Sequence, residues 1–171
     1  MELKAAGVLY TLATVMITFA GFSALLLAIR QAAGARVSVL DRFLAKTVLT
    51  QLFVLTAGAL LPPVLALYDV AERSVWLCSA ILFGVPMLGL LTTYPHRRRV
   101  VAGNRPPRIV LWIFVVLGAA VVGAMLIDVV AGFGNEAAAY VTALTINFLT
   151  TAFAFVAALD VIMRQPTEPA P

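Results

Sequence analysis

Residues 5–29 read AAGVLYTLATVMITFAGFSALLLAI, 25 positions without a charged side chain. At 1.5 Å per residue a helix of that length covers about 37 Å, more than the ~30 Å hydrocarbon core of a bilayer. Its apolar residues occupy every face of a helical projection rather than one stripe, so no side of it suits water. The interval exceeds the apolar region of a secretory leader and follows both Glu2 and Lys4, so it reads as a retained span.

Working outward from this stretch, four more charge-poor intervals follow at 47–68, 74–95, 109–127 and 137–159. None alternates polar and apolar residues at period two, as barrel strands do, so all five are predicted helices. The predicted fold class is an all-α integral membrane protein, a five-transmembrane-helix bundle forming a single domain over 1–164. Residues 165–171, QPTEPAP, read as a short disordered tail. Composition agrees: 63% of the 171 residues are apolar and 12% charged, against 45–50% and ~25% for soluble domains. One Cys and one His exclude a disulfide scaffold and a zinc module.

The basic residues predict orientation. Arg30, Arg36, Arg42, Lys46, Arg97, Arg98, Arg99, Arg105, Arg108 and Arg164 fall on one side of the five spans, and only Lys4 and Arg73 on the other. The positive-inside rule then puts the N-terminus out and the C-terminus in. Tyr10, Tyr68, Trp76 and Tyr140 read as ring anchors near the outer ends of their spans, Tyr94 and Trp112 near the inner ends. Short loops, Arg in large excess over Lys and no N-x-Ser/Thr site point to a bacterial plasma (inner) membrane.

Close helix approach in lipid calls for small residues. Ala20, Ala24 and Ala28 in the first span and Ala119 and Gly123 in the fourth, with Ala120 and Ala124 one step round, offer small-xxx-small faces. Pro62 and Pro63 should leave the carbonyls of Gly58 and Ala59 without helical donors, and Pro86 that of Leu82. Such carbonyls either face water or an ion or are satisfied by neighbouring helices, and the second reading is preferred.

Polar side chains at depth are the places to look for function. Asn147 lies near the middle of the fifth span with Thr150 and Thr151 beyond it. Thr11, Thr14 and Thr18 recur at intervals of three and four along the first span. These six residues are the candidate intramembrane polar site, a seam between first and fifth spans that is either a hydrated pathway or interhelical hydrogen bonding. Gln51, with Thr47 and Thr50, reads as a polar cap where the second span meets the headgroups.

Most chemistry is absent from the sequence. There is no pair of histidines for a haem, no Gly-rich phosphate loop, no pair of intramembrane carboxylates and no mid-span Lys. Gly21-Phe22-Ser23-Ala24-Leu25 lacks the second Gly of a serine-nucleophile elbow, and Cys78 reads as a packing residue. No catalytic residue, metal or cofactor is assigned, and the chain is not read as an enzyme. The segment 95–108, PHRRRVVAGNRPPR, reads as a loop whose Arg97, Arg98, Arg99, Arg105 and Arg108 are candidate contacts for anionic lipid or a partner. It carries no aromatic platform, so nucleic acid is not an expected partner. The leading expectation is an accessory or assembly subunit that acts through membrane partners. The alternative is a small oligomeric channel or transporter for an ion or small polar solute, built on Thr14, Thr18, Asn147 and Thr151.

Overall fold

Ser38 opens the helix that organises the protein. Its hydroxyl accepts the Asp41 N–H at 3.1 Å and the Asp41 carboxylate accepts the Ser38 N–H at 3.1 Å, a reciprocal capping box. The helix therefore starts at Val39, well before the charge-free interval at 47. A missing charge marks where a side chain suits lipid, whereas a cap marks where backbone hydrogen bonding begins.

The computed structural model describes residues 5–32, 38–103 and 108–163. Lys4, Arg36, Arg105, Arg164 and the tail 165–171 lie outside them. The elements are α1 (Ala6–Ala32), α2 (Val39–Ala66), α3 (Glu72–Ala102), α4 (Arg108–Val110), π1 (Leu111–Leu117), α5 (Gly118–Ala131) and α6 (Glu136–Met163). Among the described residues there is no strand. Because α4, π1 and α5 run on without a break, the described residues form five helical rods long and apolar enough to cross a membrane.

One expected loop is helix. Past Pro95, α3 continues through Arg97, Arg98 and Arg99 and stops at Gly103, whose left-handed φ of 68° turns its N–H back to the Arg99 carbonyl. Proline forbids its own N–H bond but tolerates helix on both sides when the freed carbonyl lies near solvent or a neighbour. Basic side chains in the last turns also suit the negative end of the helix dipole.

The packing is a ring with an outrigger. Contacts run α2 to α3, α3 to α5, α5 to α6 and α6 back to α2, closing four rods around one core. α1 lies outside the ring, packed along α2 and touching α6. Only 22% of its apolar stretch is buried, against 50% for α2, so α1 is the peripheral rod. Phe19 ties it in edge-on, with ring centroids 5.7 Å from Phe148 and 5.4 Å from Phe155 of α6.

The predicted small-residue faces make these contacts only in part: Ala20 packs against the Val48, Leu52 and Phe155 cluster and Ala119 against the main core, but the rest do not. Ala24, Ala28 and Ala124 are exposed, and a Cβ added to Gly123 would meet nothing within 4 Å. Gly58, Gly84 and Gly118 are close-approach positions between rods: a Cβ would stand 2.6 Å from Phe83 Cδ2 at the first, 3.0 Å from Leu126 Cδ2 at the second and 2.9 Å from Asn147 Oδ1 at the third.

Candidate functional site

Pro62 and Pro63 lie inside α2, buried against the ring. Pro62 has no N–H to give Gly58, four residues earlier. The Tyr140 hydroxyl of α6 supplies the donor instead, at 2.7 Å, and is fully buried in doing so. Trp76 and Phe83 of α3 pack on the same ring, both with centroids 5.7 Å from it. The carbonyl freed at Gly58 is thus satisfied by a neighbouring helix, as preferred above. Tyr140, Trp76 and Tyr94 are buried core rings rather than headgroup anchors, which corrects their sequence reading; Tyr10, Tyr68 and Trp112 are exposed. An amphipathic ring is equally satisfied by a headgroup or by a buried acceptor, and hydropathy does not separate the two.

Two turns further along α6, Asn147 is fully buried. Its Nδ2 donates to the Ala143 carbonyl of its own helix at 2.9 Å and reaches the Gly118 carbonyl at 3.5 Å. Gly118 is the residue at which the fourth rod returns from π1 to α geometry. A π segment pairs i with i+5 and so interrupts the regular ladder, and such segments cluster where a side chain must reach the backbone. Thr150 and Thr151, both buried, donate to the Asn147 carbonyl at 3.0 and 2.7 Å. Their hydroxyls are consumed within α6.

The threonines of α1 do not join them. Thr11, Thr14 and Thr18 are exposed and donate to the carbonyls of Gly7, Tyr10 and Thr14, each four residues back, at 2.9, 2.9 and 2.8 Å. The expected seam between first and fifth spans is therefore not assembled. Spacing by three and four places the three residues on one face but does not say which way that face looks. Here it looks away from the ring.

Gln51 takes the place that the α1 threonines leave. It is 1% exposed, in contrast to the interfacial cap expected of it. The Tyr140 to Gly58 bond fixes the antiparallel register of α6 on α2. Gln51 precedes Gly58 by one heptad and Asn147 follows Tyr140 by one heptad, so both stand about 10 Å along the same interface. Gln51 Nε2 and Asn147 Oδ1 are buried amide atoms with no hydrogen-bond partner among the described residues. One is a donor and the other an acceptor, left open at the same level of the core. In the sequence Gln51 stands one heptad before the proline-freed carbonyl of Gly58, but which helix supplies the donor there is set only by the fold.

At the basic end, Arg97 lies over the Phe43 ring at 5.8 Å. Phe43 stacks on Tyr94 at 6.0 Å, and Tyr94 meets Phe114 edge-on at 5.1 Å. Arg97 and Arg98 are half-buried, Arg99 and Arg108 exposed, and Arg105 falls outside the described residues. The candidate lipid or partner contacts thus stand on two helix ends. His96 is exposed, and so is Cys78, which corrects its reading as a packing residue. Ser23 donates to the Phe19 carbonyl at 2.7 Å. No three metal-ligating side chains gather among the described residues. In comparisons with protein-family models, with curated proteins and with solved structures, nothing matches the chain.

Proposed function

We propose that the protein is a multispan membrane protein, set with its basic end in the cytoplasm of a bacterium, that works as an accessory or assembly subunit through a partner held against α1. Support for insertion comes from the exposed perimeter: Ile17, Phe22, Phe53, Val85 and Trp112 all stand open on the rods, where water would be a poor neighbour. The observation that carries the accessory role is the placement of Thr11, Thr14 and Thr18 on the outward face of the peripheral helix. Small polar residues on a lipid-facing helix surface allow a second helix to approach and hydrogen-bond. A photocrosslinker at Thr14, in intact membranes, should yield one discrete adduct with a different chain, and the same probe at Val85 of α3 none. Purification in gentle detergent as a homo-oligomer alone, without a stoichiometric partner, would overturn the proposal. Phosphatase fusions should be active after Arg73 and Asn135 and silent after Gln31 and Gly103; the reverse refutes the orientation.

The second reading, a small oligomeric conductor of a polar solute, draws its support from the open amide atoms of Gln51 and Asn147. It expects flux into vesicles that Asn147→Leu abolishes while leaving assembly intact.

A further inference from the structure

Arg42 and Lys46 stand four residues apart on α2, both exposed. A groove of about 350 Å³ opens beside them, lined at its charged end by Asp41, Arg42 and Lys46 and further on by Leu27 of α1 with Leu49 and Phe53 of α2. That is within the ~300–1,000 Å³ of ordinary ligand clefts. Asp41 does not compete for the mouth of the groove. It is 3% exposed, and its carboxylate is engaged by the Ser38 N–H in the capping box.

The depth of the groove follows from the chain. Charge on α2 ends at Lys46, and no ionisable residue follows until Tyr68 and Asp69. The boundary between headgroups and hydrocarbon therefore falls at Lys46, with Leu49 and Phe53 roughly 5 and 10 Å below it. Cations at the headgroup level over an apolar floor at the acyl level match the chemistry of one molecule class. Arginine offers a planar fork to phosphate oxygens and lysine a mobile point charge. Of the half-buried cations at this end, Arg97 lies over the Phe43 ring and Arg98 sits beside Tyr94.

We propose that this groove binds one anionic phospholipid, its phosphate between Arg42 and Lys46 and an acyl chain along Leu27, Leu49 and Phe53. The proposal rests on bilayer insertion, and carbonate extraction of every variant reads insertion separately.

The test is native mass spectrometry of the full chain in gentle detergent, supplied with phosphatidylglycerol, phosphatidylcholine or inorganic phosphate. Wild type should retain one phosphatidylglycerol. The double variant Arg42→Gln/Lys46→Gln should lower retention about tenfold or more, given ~1 kcal/mol for each cation at a membrane surface. Lys4→Gln/Arg73→Gln, with the same change in net charge on the opposite side of the five spans, should alter it less than about twofold. Leu27→Trp keeps both cations, fills the apolar half and should also displace the lipid. Equal losses in the two double variants would reduce the effect to bulk charge and overturn the site. So would equal retention of phosphatidylcholine, or displacement of the lipid by inorganic phosphate, or full retention in Leu27→Trp.

Discussion

Tyr140→Phe isolates one hydrogen bond, because the ring that packs on Trp76 and Phe83 is kept and only the hydroxyl is lost. The bond is 2.7 Å long, the optimum for O–H···O, and both ends are buried. A neutral hydrogen bond contributes about 0.5–1.5 kcal/mol net, and leaving a buried carbonyl open costs about 1–3 kcal/mol. Interhelical bonds measured in membranes run lower, about 0.6 kcal/mol on average and ~1.7 at most. The carbonyl of Gly58 has lost its helical donor to Pro62, so the upper half applies, and Tyr140→Phe should cost about 1–1.5 kcal/mol. Pro62→Ala restores an N–H four residues after Gly58 and gives that carbonyl a donor of its own. In that background Tyr140→Phe should cost about 0.5 kcal/mol or less, a coupling of about 1 kcal/mol. Reversible unfolding of the four proteins of this cycle in mixed micelles measures it. If Tyr140→Phe costs the same in the wild-type chain and in the Pro62→Ala background, the hydroxyl is not compensating for the proline.

Gly118→Ala places a methyl 2.9 Å from Asn147 Oδ1 and should destabilise the fold by about 1–3 kcal/mol in the same assay, whereas Gly123→Ala, whose added methyl would meet nothing within 4 Å, should be within about 0.5. Replacing Thr11, Thr14 and Thr18 together by Ala should leave unfolding unchanged to about 0.5 kcal/mol, since each is exposed and bonds only its own helix; a larger loss would show that the stripe is structural. Ser38→Ala removes half of the capping box and should cost about 1 kcal/mol, seen as faster amide exchange confined to the first turn of α2.

The rods were legible because charge is excluded from lipid, and each of the five charge-poor intervals lies within or nearly within a helix. Their ends were not, because Ser38 and Gly103 start and stop helices by hydrogen bonding that hydropathy does not weigh. The open carbonyl at Gly58 followed from Pro62 alone, but its donor lies 82 residues away and could not be paired with it without the fold. Asn147 stood out as a costly polar group, while Gln51 did not, since its closeness to the last charge suggested the headgroups and its true partner helix was unknown. The threonines of α1 show the reverse case: a periodic stripe is visible in any sequence, but the side it faces depends on where the rod docks. Nothing in LWIFVVL at 111–117 marks it as π rather than α.

The bond between α6 and α2 also has a history in time. The chain is made from its N-terminus, so α2 and its two prolines are complete long before Tyr140 exists. At about 5–20 residues per second, the 82 residues between acceptor and donor take roughly 4–16 s to synthesise. For that interval the Gly58 carbonyl has neither a helical donor nor its tyrosine, so a nascent bundle must shelter it by other means, in water or against another chain. Completion of α6 is then the step that ends the exposure, and a chain truncated before residue 140 remains an unfinished client however well its first four rods have packed.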